Sequence, residues 1–202
     1  MIKEAKENGA DLVKFQLYNA EDDRGKPHYE FSKQAELSFD QAKMLFDYGK
    51  EIGIEVFFSV FDVERVEWCE KIGVKRYKIA CGMREPLVLK MVKETKKEVI
   101  ISVSDKTHTN ISILWDWLYC VPIYPAIITD MPLFNNPYVT FKGFSDHTVG
   151  IDAAKIALAR GALIIEKHFT VDRRIGYEAE WSMIPEELKE LKRWENVCKE
   201  VL

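Results

Sequence analysis

Two short segments near the C-terminus contain the residue types most able to do chemistry. They are residues 144–148 (FSDHT) and 165–170 (IEKHFT). Each has the pattern of a buried strand that finishes in a histidine, with Ser145 two residues before His147 and Glu166 two residues before His168. Because strand side chains alternate between faces, the two members of each pair point the same way. If the two strands are neighbours, the histidines converge on one polar spot, which suits a divalent metal or a phosphate group.

Polar side chains recur at the carboxyl ends of other predicted strands, namely at Lys14, Gln16, Ser59, Lys78 and Ser102. A lysine inside an apolar strand is costly unless it meets a negative partner, so Lys14 and Lys78 favour an anionic ligand. Lysines together with serine hydroxyls suit a phosphate and a carboxylate. Each residue also has an ordinary alternative: a histidine satisfied in the core, a lysine reaching solvent, or a serine bonding the backbone. Recurrence of the pattern on several strands favours a functional site.

Apolar runs alternate with amphipathic runs along the chain, which is typical of βαβ units and a parallel sheet. Strands are predicted over 11–17, 54–59, 76–80, 98–103, 117–121, 140–145 and 162–167. Helices are predicted over 2–7, 38–52, 62–72, 86–95, 109–115 and 151–160, with a last helix starting at Pro185. Ser38 and Gln41 form a predicted capping box, Asp62 a predicted N-cap, and Gly53 and Gly73 predicted stops.

A doubly wound sheet would suit this alternation. A (β/α)₈ TIM-type barrel suits it better, because barrel enzymes place their chemistry at the carboxyl ends of the strands. Seven strands are visible, which is one short of this count, and the chain opens abruptly in the partial helix 2–7. Residues 1–202 are therefore predicted to form a single, incomplete TIM-barrel domain.

The composition narrows the class of protein. Of the 202 residues, 47% are hydrophobic and 31% are charged, which is ordinary for a soluble globular domain. The net charge of -4 gives no basic surplus for binding nucleic acid. No apolar run is long enough to predict a membrane span. Cys69, Cys81, Cys120 and Cys198 have no CxxC spacing and are expected to be reduced thiols, which predicts a cytoplasmic setting.

Five motifs in this order resemble a known family: 14–16 (KFQ), 77–82 (YKIACG), 123–125 (IYP), 145–150 (SDHTVG) and 166–170 (EKHFT). From about Gly9 to the C-terminus, the chain resembles the catalytic barrel of the sialic acid synthases, which include N-acetylneuraminate synthase and its legionaminic and pseudaminic acid relatives. The resemblance implies a transferase of carbohydrate biosynthesis that condenses phosphoenolpyruvate with an N-acetylated hexosamine aldehyde and releases phosphate. The enol carbon would attack the polarised aldehyde, followed by water addition and phosphate loss.

The resemblance also implies residue roles. His147 and His168 would hold a divalent metal, commonly Mn²⁺ with Mg²⁺ or Co²⁺ as alternatives, that acts as a Lewis acid. The residues that match phosphoenolpyruvate-binding positions are Lys14, Ser59, Lys78, Ser102 and Ser145. Those that match the sugar and metal neighbourhood are Gln16, Tyr124, Glu166 and Glu178. Lys14, Lys78, Tyr124 and Glu166 would be the catalytic groups.

The sequence also departs from the family pattern. The family's first strand, with its catalytic glutamate, and its C-terminal antifreeze-like domain have no counterpart here. Cys81 stands where a phosphate-binding serine is usual in the family, and Met83 stands where a glutamate is usual. Residues 59–61 (SVF) replace the family's Thr-Pro-Phe, and Pro122 replaces a residue that is usually polar. The loop after Ser102 lacks the usual Thr-Gly-Met.

Two alternatives therefore stay open: a catalytically impaired barrel that binds a sugar or a partner protein, and a different metal-dependent carbon–carbon lyase or synthase. The pairing of the two histidine motifs argues against the second of these. Open edges at the first and last strands predict missing upstream residues or cover by another chain, for example in a homo-oligomer.

Overall fold

The computed structural model describes residues 1–104, 115–130 and 141–201. It has an α/β fold in which the strands are β1 Leu12–Leu17, β2 Glu55–Val60, β3 Arg76–Ile79, β4 Glu98–Val103, β5 Asp116–Cys120, β6 Gly143–Asp146 and β7 Ile164–Lys167. The helices are α1 Ile2–Glu7, α2 Tyr29–Ala35, α3 Phe39–Ile52, α4 Val63–Ile72, α5 Pro86–Glu94, α6 Asp152–Ala159 and α7 Pro185–Val201. Short 3₁₀ helices cover Ala20–Asp23 and Ile128–Asp130.

The seven strands belong to one sheet and follow one another in chain order from β1 to β7. Every strand lies within about two residues of its predicted position where the chain is described, so the predicted α/β alternation is confirmed. The predicted helix 109–115 falls mainly outside the described residues. Clustering of backbone contacts divides the chain into two compact units, Asp11–Ile100 and Met1–Ala10 with Ile101–Leu202.

In the Asp11–Ile100 unit, β2 pairs in parallel with β1 and with β3. The core is apolar and centred on β2 and β3, where Phe58, Val60, Tyr77 and Ile79 are fully buried. The predicted capping box starts α3: the Ser38 hydroxyl accepts from the amide of Gln41 and the Ser38 amide donates to the Gln41 side chain.

In the other unit, β6 pairs in parallel with β5 and with β7. Leu118 and Phe144 are fully buried on these strands, and Ala154 and Ala157 are the buried face of α6. Gly143 allows the close approach of β6 and β7, because a Cβ atom there would fall on the carbonyl of Ile164. The two histidine motifs are thus held side by side.

Within residues 1–104, 115–130 and 141–201, no helix is both long and apolar enough to cross a bilayer.

Candidate active site at the strand ends

The first part of the candidate site is a serine–glutamate cluster formed by Ser102, Ser145 and Glu166. Ser145 and Glu166 stand opposite each other in the β6–β7 register, so their side chains leave the same face of the sheet. The Ser145 hydroxyl donates to Glu166 Oε2 at 2.8 Å, and the Ser102 hydroxyl from β4 donates to the same oxygen at 3.3 Å. Both serines are buried. One carboxylate is thereby held by hydroxyls from two different strands.

His147 lies two residues beyond Ser145 on the same face, at the end of β6. Its Nδ1 lies 2.7 Å from the carbonyl oxygen of Val121, which can only accept, so Nδ1 carries the proton. Its Nε2 therefore accepts a hydrogen bond from the Tyr124 hydroxyl at 2.9 Å. Burial lowers the pKa of His147 to about 4, against the favourable effect of the Val121 carbonyl. The imidazole is therefore neutral at pH 7, the form that ligates metals.

His168 occupies the matching position at the end of β7, and its ring centroid lies 6.0 Å from that of His147. Its Nδ1 lies 3.0 Å from Glu178 Oε2. A carboxylate can only accept, so this contact places a proton on Nδ1 and leaves Nε2 as the ring nitrogen able to ligate a metal. Both rings therefore have the tautomer that presents Nε2.

Two chain segments place the remaining side chains beside the histidines. The amide of Ala126 donates to the His147 carbonyl at 2.9 Å, which holds the Tyr124 segment against the end of β6. The amide of Met183 donates to the His168 carbonyl at 2.8 Å, which does the same for the segment with Glu178. The resulting aromatic wall has the Tyr124 ring stacked 4.0 Å from His147, with Trp181 5.8 Å from Tyr124 between ring centroids.

The opposite face of the same strand ends holds a buried ion pair. Lys167 Nζ lies 3.0 Å from Asp146 Oδ2 and donates to the Thr148 carbonyl at 2.7 Å. Their side chains are 1% and 0% exposed. Asp146 Oδ1 accepts from the amide and the hydroxyl of Thr148, at 2.8 and 2.7 Å. Each partner precedes a histidine by one residue, so the pair joins β6 to β7 where the histidines emerge.

The remaining predicted residues, Lys14, Gln16, Ser59 and Lys78, belong to the Asp11–Ile100 unit. Gln16 is paired with Ser59, and Ser59 with Lys78, in the register of β1, β2 and β3. Ser59 and Lys78 are buried, and the Lys78 ammonium donates to the carbonyl of Ile79 at 2.8 Å. Lys14 lies two residues before Gln16 on the same face and is half-buried. These side chains form one polar row at the carboxyl ends of three strands.

Among these side chains, the imidazoles of His147 and His168 are suitable ligands for a divalent metal. In both histidines the second ring nitrogen is fixed by a carbonyl or carboxylate, which is the usual arrangement around histidine ligands. Across residues 1–104, 115–130 and 141–201, no group of three or more His, Cys, Asp or Glu is arranged to hold a metal ion.

Two features of the site escaped the sequence reasoning. The Asp146–Lys167 pair could have been found from strand alternation, because opposite charges occupy the outward positions of both motifs. No sequence pattern indicated that Trp181 belongs to the site, since it lies in a loop and not at the end of a strand. Its indole N–H is buried and has no hydrogen-bond partner within the described part of the chain.

The chain is similar to known proteins in sequence and in fold. Residues 1–201 match the sequence profile of the NeuB family. An uncharacterized protein of Methanocaldococcus jannaschii is 36% identical over 95% of this chain and 63% of its own length. The N,N'-diacetyllegionaminic acid synthase of Legionella pneumophila is 30% identical over 95% of this chain and 64% of its own length. The chain thus spans somewhat less than two thirds of these curated relatives.

Among solved structures, the sialic acid synthetase of Leptospira borgpetersenii, crystallised with citrate, superimposes with a TM-score of 0.90 at 30% identity. The match covers 100% of this chain and 77% of that one. The fold is therefore similar to that of a sialic acid synthetase over the whole of this chain.

Proposed function

The chain belongs to the NeuB family, and we propose that it carries the part of a nonulosonic acid synthase that condenses phosphoenolpyruvate with an N-acetylated hexosamine aldehyde and releases phosphate. The observation that carries the proposal is the meeting of His147, His168, Tyr124 and Glu178 at the ends of β6 and β7, next to the serine–glutamate cluster. Named synthases among the relatives support the same reaction class. The fold class proposed is a TIM-type (β/α)₈ barrel, supported by the parallel strands in chain order.

The histidine pair would hold the metal, for which Mn²⁺ is proposed with Mg²⁺ and Co²⁺ as alternatives. When bound, the ion supplies Lewis-acid polarisation of the aldehyde carbonyl. The protein's part is to keep both Nε2 atoms presented. The Val121 carbonyl does so for His147, and Glu178 for His168.

The anionic substrate needs positive charge and hydroxyl donors. In the proposed assignment Lys14 and Lys78 supply the charge for phosphate and carboxylate, and Ser59 adds a hydroxyl. Ser102 and Ser145 also match phosphoenolpyruvate positions, and in the structure their hydroxyls donate to Glu166. Binding a phosphate or carboxylate there requires these hydroxyls to turn from Glu166 to the ligand, which would leave Glu166 to accept from a sugar hydroxyl. Gln16 is assigned to the sugar.

The reaction balances without a redox partner. The C3 carbon of phosphoenolpyruvate forms a bond to the aldehyde carbon, whose oxygen becomes a hydroxyl after protonation. Water adds at C2, and the bond between C2 and the phosphate oxygen breaks to release inorganic phosphate and leave a 2-keto acid. Alignment of the two reactants is the main catalytic contribution proposed for the protein.

Phosphate release is the direct test. The protein is incubated with MnCl₂, phosphoenolpyruvate and either N-acetylmannosamine or a 2,4-diacetamido hexose, and phosphate and product mass are measured. Release above the no-sugar blank is expected, and His168→Asn should abolish it. His28→Asn, at the start of α2, is the matched control and should retain it. Absence of release with every aldehyde would overturn the proposal for this chain.

A binding protein without turnover is the second candidate, favoured by the environment of Met83. This side chain is buried, and its sulfur accepts from the Glu85 amide at 3.1 Å, where the resembled family has a glutamate. A thioether can neither give nor take a proton. Calorimetric titration separates the two candidates: sugar binding without phosphoenolpyruvate binding favours this one, and binding of both favours the synthase.

A further inference from the structure

The Tyr124 hydroxyl lies where a metal ligated by His147 would need a lone pair. His147 has only one unprotonated nitrogen, because Nδ1 donates to the Val121 carbonyl. That nitrogen, Nε2, accepts from the Tyr124 hydroxyl at 2.9 Å. A cation and a hydroxyl proton cannot both use this lone pair. Metal binding at His147 therefore requires one of the two side chains to move.

Burial decides which side chain moves. His147 is 6% exposed, and its Nδ1 is held by the carbonyl of a buried residue, so turning the ring would leave a buried N–H and a buried carbonyl unpaired. Tyr124 is 48% exposed, and its hydroxyl can be rehydrated as it leaves. Its neighbour Ile123 is also exposed. The tyrosine is thus the mobile partner and the histidine the fixed one.

Resting on the function proposed above, we propose that Tyr124 is an exchangeable occupant of His147 Nε2, which a divalent cation displaces when it binds. In the metal-free protein the hydroxyl satisfies the buried nitrogen and keeps the imidazole in its ligating tautomer. On metal binding the hydroxyl is released beside the site and becomes a donor for the sugar. Occupation by metal and availability of the tyrosine hydroxyl are thereby coupled.

The consequence is that Tyr124 opposes metal binding even though it contacts a metal-binding residue. Removing only the hydroxyl leaves the ring stacked on His147, at the 4.0 Å centroid distance, but leaves Nε2 without its donor in the metal-free state. Tyr124→Phe should therefore bind Mn²⁺ about three- to tenfold more tightly than the unaltered protein, the factor that corresponds to one neutral hydrogen bond. A tyrosine that supported the metal site would give the opposite sign.

The experiment measures Mn²⁺ binding by equilibrium dialysis, followed by thermal unfolding with and without Mn²⁺. The proteins are the unaltered chain, Tyr124→Phe and, as matched control, Tyr48→Phe on the exposed part of α3. We expect tighter binding and a larger Mn²⁺-induced rise in Tm for Tyr124→Phe only. The unfolding data also show whether the variant is folded.

Equal or weaker binding by Tyr124→Phe overturns the inference, and so does an absence of binding by all three proteins. The proposed function fails separately: if Tyr124→Phe binds more tightly but no aldehyde gives phosphate release, the exchange stands and the synthase assignment does not.

Discussion

Replacing Lys167 by methionine tests whether the Asp146–Lys167 pair joins β6 to β7. The substitution keeps the length of the side chain and removes its charge, so Asp146 loses its buried cationic partner. The side chains of the pair are 1% and 0% exposed. At the observed 3.0 Å, the attraction between unit charges is about 5 kcal/mol at an effective dielectric constant of about 20. Two hydrogen bonds from Thr148 still support Asp146 after the change. The net loss of unfolding free energy should therefore be about 3–5 kcal/mol.

The double variant Asp146→Asn with Lys167→Met separates charge from packing. Its asparagine oxygen can still accept from Thr148, and no buried charge remains. We expect it to cost about 1–2 kcal/mol, less than Lys167→Met alone. Urea unfolding at pH 7 followed by circular dichroism gives all the free energies.

Lys142→Met is the matched control, because it removes a lysine that pairs with Asp116 at 2.7 Å in the same unit while its side chain is 46% exposed. Its cost should stay within about 1 kcal/mol. The reasoning is refuted if Lys167→Met costs no more than this control, or if the double variant costs the sum of its single changes.

Three further predictions concern stability. In the metal-free protein, burial lowers the pKa of folded His147 to about 4, from 6.5 in the unfolded chain. Between these pH values the unfolded chain binds more protons, so the free energy of unfolding rises with pH by roughly 3 kcal/mol. Urea unfolding from pH 4 to 7 should show this rise, and His147→Asn should flatten it. Tyr77→Phe should cost about 1–2 kcal/mol, since its buried hydroxyl donates to Glu70 at 2.6 Å; an unchanged urea midpoint would contradict this. Gly143→Ala should cost about 3 kcal/mol, because its methyl group meets the Ile164 carbonyl, and a midpoint equal to that of the unaltered protein would show that β6 and β7 can separate freely.

Sequence reasoning worked where one physical rule dominates. The alternation of apolar residues predicted the strands, and the Ser38–Gln41 pair predicted where α3 begins. It placed Ser145, His147, Glu166 and His168 at the ends of two strands, and the structure makes those strands neighbours.

Sequence reasoning failed where the contacts that determine the local structure are polar. Helix α2 was missed because its side chains have no apolar stripe: Phe31 is 48% exposed and Ser32 is the one buried residue of the helix. What orders this region instead is a set of hydrogen bonds, such as that from the Ser32 hydroxyl to Asp23 at 2.6 Å. Hydrophobic periodicity contains no information about such a contact.

Which ring nitrogen each histidine presents was unpredictable for a related reason. His147 is fixed by a backbone carbonyl, and every residue has one, so no residue type at position 121 could signal the contact. The Tyr124 hydroxyl reaches Nε2 only because the amide of Ala126 bonds the His147 carbonyl, a pairing outside the named strands. The sequence could therefore predict that the histidines converge, but not which of their nitrogens is presented.

The two faces of β6 and β7 have different roles: one contributes to stability, and the other carries the residues of the candidate site. On one face, the buried Asp146–Lys167 ion pair holds the strand ends together. On the other face, Glu166 and the Nε2 atom of His147 accept from side-chain hydroxyls, which can rotate to a ligand without breaking the sheet. Asp146 and Lys167 directly precede His147 and His168 in the chain, so we expect the loss of the ion pair to move the two imidazoles. Lys167→Met should thus weaken Mn²⁺ binding as well as stability, whereas Lys142→Met should leave both nearly unchanged.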